Sequence, residues 1–397
     1  MSGVFATPTL DDVELIVLEM INKLREEMRN RVAEPRRWSG GLRRMAEARA
    51  VQGSNSIEGY NASLDDVLAV RDEEEPMDAD TETYLALAGY QEAMTYVLQA
   101  AQDADVVMDE GLLRALHFMM LKHDLAKNPG RWRPGAIHVE RSDTHEIVYE
   151  APDHELIPAL IAAMLDELGR DDVPALAKAA VGHLNLVMIH PFSDGNGRMA
   201  RCLQTLVLAR EQIIAPVFSS IEEYLGQNTQ DYYDVLAEVG QGRWHPERDA
   251  RPWVRFCLTA HYRQARTFIR RIEAFEAMWT VATRIAAEHR LPERTIGPIA
   301  EAAYGLRVKR GSYLRNVEIT WGEPIAALTA SRDLRAIVTA GLFRPIGDTR
   351  GRYYVATDPL KHEWDAIRRR WPRKPETDDP FKIADSQRQL SFSLPAT

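Results

Sequence analysis

Apolar residues recur along most of the chain at steps of three and four, which places them on one face of an α-helix. The first such stretch covers residues 10–28. The second covers 42–58 and is followed by Gly59, a residue suited to a left-handed helix C-cap. Further stretches with this spacing are 81–101, 109–123, 153–168, 174–189, 252–288, 295–306, 324–328 and 331–340. The pattern predicts a mainly α protein.

Two short segments depart from the helical pattern and predict β-hairpins. Residues 136–139 and 146–150 are β-like runs around a polar turn, and 343–346 and 352–355 flank a Gly-Asp-Thr-Arg-Gly turn. The helices predicted before the second hairpin, together with that hairpin, resemble a winged helix-turn-helix module.

Composition limits the class of protein. The chain has 397 residues, 45% hydrophobic and 27% charged, which excludes wholesale disorder. No uncharged apolar run approaches the roughly 18 residues that a membrane span requires, and acidic residues near the N-terminus argue against a secretory signal. Only two cysteines occur, far apart in the sequence. We therefore expect a cytoplasmic protein without a membrane partner.

The charge is unevenly distributed. The formal net charge is −10, which disfavours nucleic-acid binding by the chain as a whole, but residues 305–355 hold nine Lys/Arg against four Asp/Glu. DNA could be bound by Arg332 and Arg335 on a recognition helix and by Arg350 and Arg352 on a wing. A protein-docking or dimer-supporting domain explains the same features, and both interpretations stay open.

The most informative segment reads His-Pro-Phe-Ser-Asp-Gly-Asn-Gly-Arg-Met-Ala-Arg, from His190 to Arg201. Pro191 predicts the end of one helix, and an apolar face after Arg201 predicts that another begins. The two glycines around Asn196 let a ligand approach the backbone. The turn therefore lies at a helix N-terminus, where free N–H groups and the helix dipole favour an anion.

The side chains of this segment fit a polyphosphate. Arg198 and Arg201 are three residues apart and project from one side of the predicted helix. Asp194 offers an oxygen ligand for a Mg²⁺ ion shared with phosphates. His190 can accept a proton near neutral pH. A Gly/Asn turn with solvated arginines is the alternative, but it does not account for the histidine and both arginines together.

These twelve residues resemble the signature of the Fic family, His-x-Phe-x-(Asp/Glu)-Gly-Asn-Gly-Arg-x-x-Arg, at every defined position. The resemblance covers roughly residues 40–260 and implies a Fic helical core with a small β-hairpin flap. Members of this family transfer AMP from ATP to a protein hydroxyl. The resemblance therefore implies that His190 is the general base and that Asp194 holds Mg²⁺. It implies nucleotide binding by Gly195, Asn196, Gly197, Arg198 and Arg201.

The resemblance extends to regulatory and docking elements. The residues from Ser54 to Gly59 match the family's inhibitory pattern (Ser/Thr)-x-x-x-Glu-(Gly/Asn), so Glu58 is expected to reach Arg201 and displace the γ-phosphate. The first hairpin resembles the flap that docks the target segment, here through Ile147, Val148 and Tyr149. Tyr232, of the pair Tyr232-Tyr233, resembles a residue on the adenine side. Gly240 stands where many relatives have Asn.

These inferences define the expected organisation and function. We expect an N-terminal helical region with the autoinhibitory helix at 1–108, a Fic core at 109–275, a winged-helix-like domain at 280–360 and a loose tail at 372–397. The expected activity is Mg²⁺-dependent transfer of AMP from ATP to a Ser, Thr or Tyr hydroxyl of a target protein, or of the chain itself. Removal of AMP, use of another nucleotide, and a DNA-binding regulator whose core only senses nucleotide are the alternatives. A homodimer is left open.

Overall fold

The computed structural model describes residues 3–33, 36–140, 146–210, 218, 220–348, 351–370 and 377–393. The N-terminal helices are α1 (Asp12–Ala33), α2 (Ser39–Ile57), α3 (Leu64–Arg71), α4 (Thr81–Ala100) and α5 (Glu110–Leu121). The central helices are α6 (Ile157–Leu168), α7 (Ala175–Ile189), α8 (Asn196–Ala209), α9 (Glu222–Gln227), α10 (Thr229–Gly240) and α11 (Arg251–Glu288). The last are α12 (Ile296–Ala303), α13 (Arg310–Trp321), α14 (Ala327–Thr339), α15 (Asp358–Arg368) and α16 (Pro380–Ser393).

The two predicted hairpins are present and are the only sheets among the described residues. Strand β1 (His138–Glu140) pairs antiparallel with β2 (Ile147–Glu150), and β3 (Phe343–Ile346) pairs antiparallel with β4 (Tyr353–Ala356). Helices make up 67% of the structure. The prediction of a mainly α fold with a small hairpin in the helical core is confirmed.

Two hydrophobic cores meet along the long helix α11. The larger core takes buried residues from Val4 to Ala384, and the smaller one takes residues from Ala274 to Ile367. The predicted domain division between residues 275 and 280 therefore falls inside one continuous helix. The segment before residue 109 packs into the same core as the segment after it.

The C-terminal part differs from the sequence prediction at three helices, α13, α14 and α15. Residues 324–328 were expected to be helical, whereas the structure has α13 earlier in the chain and a single helix α14 from Ala327. Helix α13 was missed because it buries only Tyr313, Asn316 and Val317, too few residues for a clear apolar stripe. Helices α12 to α14 and the β3–β4 hairpin share the smaller core, and the winged-helix assignment stays a prediction.

The prediction of a loose tail is wrong for residues 380–393. Helix α16 packs against α1. Its Ala384 is fully buried, and the ring of its Phe381 lies under the Arg255 guanidinium. Arg263 and Arg266 also bind the residues before this helix. Residues 371–376 and 394–397 of the predicted tail lie outside the described part of the chain.

Candidate active site

The loop between α7 and α8 turns sharply at His190. This residue has φ 51° and ψ 56°, a left-handed conformation that ends α7 before Pro191. The loop is closed by the side chain of Asn196, whose Oδ1 accepts the Phe192 N–H and whose Nδ2 donates to the Phe192 carbonyl, both at 2.9 Å. One N–H and one lone pair of the Asn196 amide are thus used to close the loop.

Helix α8 begins with a free set of backbone donors. Gly195, at φ 75°, precedes it, and its own N–H donates to Asp194 Oδ1 at 2.6 Å. The N–H groups of Asn196, Gly197 and Arg198 lie in the first turn, where no carbonyl of the same helix can accept them. The N-terminus of α8 is thus open to an anion.

Two guanidinium groups lie beside this helix start and are incompletely bonded. The side chains of Arg198 and Arg201 are each 1% exposed. Among the described residues, Nε and Nη1 of Arg198 and Nη1 of Arg201 have no hydrogen-bond partner. Unbonded polar atoms of buried charged groups are costly and rare in folded proteins. These N–H groups therefore indicate the position of an anionic ligand.

Asp194 is held next to the arginines by a lysine that sequence reasoning did not single out. Lys127 Nζ lies 2.8 Å from Asp194 Oδ2. Burial acts to raise the pKa of Asp194, but the Lys127 ammonium, the Arg198 guanidinium and the Gly195 N–H together outweigh burial, so the pKa is lowered. No group of three or more metal-binding side chains occurs in the described ranges. Because Mg²⁺ is often bound by one carboxylate together with substrate phosphates, Asp194, which already faces a cation, fits that role.

His190 is arranged to be a neutral base. Its Nδ1 lies 3.1 Å from the Val187 carbonyl, which fixes that nitrogen as the protonated one and leaves the Nε2 lone pair available. The pKa of His190 is lowered, first by burial and then by the positive charge of Arg133. A neutral imidazole can accept the proton of a hydroxyl group.

The end of α2 occupies the space beside the arginines. Glu58 Oε1 lies 2.6 Å from Arg201 Nη2, while Ser54 accepts Arg201 Nε at 2.8 Å through its hydroxyl and Nη2 at 3.0 Å through its carbonyl. Burial acts to lower the pKa of Arg201, but the Glu58 carboxylate raises it overall. The expected meeting of Glu58 and Arg201 is therefore present in the structure.

Glu58 also lies directly over the start of α8. A Cβ atom at Gly197 would come within 2.5 Å of Glu58 Oε1, so the absence of a side chain at residue 197 is what admits the carboxylate. The same space is where an anion would approach the free N–H groups of the first turn. A bound triphosphate and the Glu58 carboxylate would thus compete for one position.

Tyr60, two residues after Glu58, extends this contact to the second arginine. The Arg198 guanidinium lies 5.3 Å from the centre of the Tyr60 ring, within cation–π distance. The Tyr60 hydroxyl lies 3.4 Å from Lys127 Nζ. Sequence analysis missed Tyr60 because the inhibitory pattern ends at Gly59.

His117 holds the loop through a hydrogen bond to Asp194 and ring stacking on Phe192. Its Nε2 donates to the Asp194 carbonyl at 2.9 Å, and its Nδ1 accepts the Gly130 N–H at 2.8 Å, so the ring is neutral. The ring stacks on Phe192 with the centroids 3.7 Å apart. Burial lowers the pKa of His117 to about 4. No sequence pattern distinguishes this histidine from the others in the chain.

The tyrosine pair is arranged differently from the prediction. Tyr232 is fully buried, and its hydroxyl lies 3.1 Å from Nε2 of His183, which is also buried. It is closed to a ligand, because it packs between His183 and Trp253. Tyr233 is 47% exposed and donates to the Ile57 carbonyl at 3.3 Å, so it is the ring of the pair that faces solvent.

One of the three predicted flap residues faces the wrong way for docking. Ile147 is exposed and Val148 is half-buried, but Tyr149 is buried and donates its hydroxyl to the Met188 carbonyl at 2.9 Å. The Tyr149 side chain is therefore directed toward α7. Tyr149 thus anchors the hairpin, and Ile147 and Val148 remain the candidates for contact with a target.

The basic residues of the C-terminal part lie on both of its predicted surfaces. Arg332 and Arg335 are exposed on α14, and Arg352 is exposed before β4. Arg350, also predicted for the wing, lies outside the described residues. Arg307 is instead paired with Asp78 of the N-terminal region at 2.8 Å. DNA binding stays a prediction. In the described ranges, no helix is both long and apolar enough to cross a bilayer.

The segment that holds the site matches a known family model, and the chain is similar to named proteins. The Fic/DOC family model matches residues 107–208. The chain is 29% identical to the Protein adenylyltransferase Fic of Nematostella vectensis over 281 residues, 68% of this chain and 59% of that protein. It is 35% identical to the Protein adenylyltransferase fic-1 of Caenorhabditis briggsae over 109 residues, 27% of this chain and 19% of that protein. The chain thus spans less than two-thirds of either relative.

Solved structures show the same fold. A Fic family protein from Desulfovibrio desulfuricans G20 matches with a TM-score of 0.56 and 22% identity over 89% of this chain and 98% of that one. A Fic domain containing signaling protein from Bacteroides thetaiotaomicron matches with a TM-score of 0.51 and 20% identity over 66% of this chain and 97% of that one. The fold, the signature loop and the family match agree. Residues 107–208 of the chain therefore carry a Fic domain.

Proposed function

We propose that this chain transfers the AMP moiety of ATP to a Ser, Thr or Tyr hydroxyl of a protein, including its own, and that Glu58 inhibits the transfer. The observation that carries the proposal is the pair of buried arginines, Arg198 and Arg201, with unbonded N–H groups beside an open helix N-terminus. Two guanidinium forks and a set of backbone donors suit a polyphosphate better than a single carboxylate. The relatives named protein adenylyltransferase support the same substrate.

The residues of the loop supply the parts of such a transfer. The target hydroxyl oxygen forms a bond to the α-phosphorus of ATP as its proton passes to Nε2 of His190. The bond from that phosphorus to the oxygen of the β-phosphate breaks, and pyrophosphate leaves with its charge balanced by Arg198 and Arg201. Mg²⁺, held by Asp194, would neutralise phosphate charge. Catalysis then consists mainly of positioning and electrostatic stabilisation.

Inhibition follows from competition for one position. Glu58 and the terminal phosphates of ATP are both negative and both require Arg201. The carboxylate also covers the first turn of α8 at Gly197. ATP can therefore take its productive position only when Glu58 moves away, and removal of the carboxylate should release the activity.

Self-labelling tests both parts of the proposal. Wild type, Glu58→Gly, Glu58→Gly/His190→Ala and the control Glu47→Gly are incubated with Mg²⁺ and ATP labelled at the α- or the γ-phosphate. Glu47 lies on the same helix but pairs with Arg71. We expect label from the α-position alone, at least about tenfold more in Glu58→Gly than in wild type or Glu47→Gly, and none without His190. Equal labelling of all proteins, or label from the γ-position, would refute the proposal.

A second arm tests the opposite reaction. Protein labelled by Glu58→Gly is purified and incubated with wild type, and free AMP is measured. No release is expected if the chain acts as a transferase only. Release by wild type that requires Glu58 would assign removal of AMP to this chain instead.

A further inference from the structure

A buried arginine joins the loop of His190 to both ends of the first hairpin. Arg133 is 3% exposed, and its side chain donates only to backbone carbonyls. Nε donates to His190 O at 2.8 Å, Nη1 to Gly135 O at 2.5 Å and Nη2 to Pro152 O. Gly135 precedes the hairpin and Pro152 follows it. One guanidinium group thus binds the entry to the hairpin, its exit and the residue proposed as the base.

The backbone of the same residue strengthens the connection. The Arg133 N–H donates to the Pro191 carbonyl at 2.9 Å, so Arg133 binds the carbonyls of two successive residues of the loop. His190 has a left-handed backbone conformation, which is unfavourable for a residue with a side chain unless neighbouring contacts hold it. The bonds from Arg133 to both sides of this turn are such contacts.

The chemistry of the contact requires arginine. Its planar fork directs several donors along fixed lines, whereas a lysine ammonium is a single point with flexible reach. Among the described residues, no carboxylate forms a salt bridge with Arg133. A buried cation that is satisfied only by carbonyl dipoles is costly to retain for packing alone. Burial lowers the pKa of Arg133. The buried charge of Arg133 therefore indicates a role other than packing.

The hairpin is the element that would present a target to His190. The hairpin is also attached to α7, because the Tyr149 hydroxyl donates to the Met188 carbonyl. It is attached to the loop after α10, because the Glu150 N–H donates to the Gly242 carbonyl. In the part of the chain that the structure describes, Arg133 is the side chain that hydrogen-bonds both to His190 and to the residues flanking the hairpin. A shift of the hairpin would move His190 through this side chain.

We propose that Arg133 is a positioning residue that joins the hairpin and His190 into one unit, so that a hydroxyl held by the hairpin meets Nε2 of the imidazole. The inference rests on the proposed transfer of AMP. Arg133 acts through His190 and does not touch the nucleotide. Loss of Arg133 should therefore slow the transfer step and leave nucleotide binding intact.

The charge of Arg133 has a second effect on the same residue. The charged groups that act on His190 are Arg133, which lowers its pKa, and Glu58 from α2 and Asp194 from the loop, which raise it; burial lowers it most. Removal of the Arg133 charge should raise the pKa of His190, and the acid limb of the pH–rate profile should move to higher pH. Lysine at residue 133 keeps the charge and should leave that limb in place.

The test uses Arg133→Gln and Arg133→Lys in the full chain carrying Glu58→Gly, with Arg131→Gln as the matched control, because Arg131 is exposed two residues away. Self-labelling with α-labelled ATP, affinity for MgATP by calorimetry and the pH–rate profile are measured. If the Glu58→Gly parent does not label, the proposed function fails and not this inference. We expect both Arg133 variants to label at least about tenfold more slowly, with MgATP affinity within about twofold of the parent. Arg131→Gln should match the parent.

The outcomes separate positioning from a purely structural role. Labelling by Arg133→Gln at the parent rate would overturn the inference. So would a loss of MgATP affinity equal to the loss of rate, or an acid limb that stays in place in the Gln variant. If Arg133→Gln does not fold, Arg133→Lys decides, because it keeps the charge and most of the volume. A Lys variant that labels like the parent, or that also fails to fold, would assign Arg133 to stability alone.

Discussion

The candidate active site has two walls, one formed by successive residues of the chain and the other by residues far apart in the sequence. One wall is the loop from His190 to Arg201, in which base, carboxylate, backbone donors and arginines lie within twelve successive residues. The facing wall is assembled from distant segments: Ser54, Glu58 and Tyr60 from the end of α2, and Lys127 and Arg133 from the chain before the first hairpin. In the proposed function the loop supplies the groups for the transfer, and the facing wall restrains them.

The groups of the two walls contact one another in pairs. In the structure each functional group of the loop is matched by one from the facing wall: Glu58 contacts Arg201, Tyr60 covers Arg198, Lys127 binds Asp194 and Arg133 holds the His190 carbonyl. Substitutions in the loop should therefore remove function, while substitutions in the facing wall should adjust it.

The largest expected effect is a loss of folding stability at low pH. Burial lowers the pKa of His117 to about 4 and those of His183 and His261 to about 3. Below pH 6.5 the unfolded chain binds protons that these folded imidazoles exclude, so stability falls as the pH falls. As the pH falls from 6.5 to the folded pKa of each histidine, that histidine should lower the free energy of unfolding by about 1.4 kcal/mol per pH unit. Urea unfolding at pH 7 and pH 5 measures the loss.

A matched variant connects this loss to the loop. His117→Gln has no group that titrates in this range, so the free energy of unfolding should depend less steeply on pH than in wild type. The exposed His289 provides the control, and His289→Gln should leave the pH dependence unchanged. An identical slope for all three proteins would contradict the neutral state of His117.

A smaller effect, on the affinity for MgATP, is expected when Arg201 is replaced. In the Glu58→Gly protein, Arg201→Ala should weaken MgATP binding by about 10- to 100-fold, the range for lost hydrogen bonds to charged groups. Binding of AMP should change much less, because AMP lacks the phosphates assigned to this arginine. Calorimetry with both nucleotides measures the difference, and Arg210→Ala at the far end of α8 is the control. Equal losses for ATP and AMP would place the triphosphate elsewhere.

The smallest effect is expected from Tyr60. Tyr60→Ala in the otherwise wild-type chain should raise self-labelling by about two- to fivefold, because a cation–π contact contributes about 0.5–1 kcal/mol. Tyr60→Phe keeps the ring over Arg198 and loses only the contact with Lys127, so it should stay close to wild type. Labelling by Tyr60→Phe as strong as by Tyr60→Ala would show that the hydroxyl, and not the ring, restrains the site.

The same contrast explains how much could be predicted from the sequence. The loop is readable because its parts are adjacent: Pro191 and Gly195 set the turn, and helical spacing brings Arg198 and Arg201 to one side. The contact of Glu58 with Arg201 was expected only because the Ser54–Gly59 pattern resembles a known inhibitory segment. Helices α4, α7 and α11 were predicted to within a few residues, whereas α3, α13, α15 and α16 were not predicted.

The remaining residues were not predictable because their roles depend on tertiary contacts. Nothing near Lys127 or His117 in the sequence indicates that the fold brings each of them to Asp194. Tyr232 and Tyr149 are tyrosines that the sequence could not assign to core or cleft, and packing against His183 and α7 turned both inward.

Calorimetric titration of MgATP into wild type, Glu58→Gly and Glu47→Gly tests the central claim most directly, namely that the Glu58 carboxylate fills the phosphate position beside Arg201. The account predicts that Glu58→Gly binds MgATP at least about tenfold more tightly than wild type, a difference of about 1.4 kcal/mol, and that Glu47→Gly binds it like wild type. Equal affinities for all three proteins would contradict the claim.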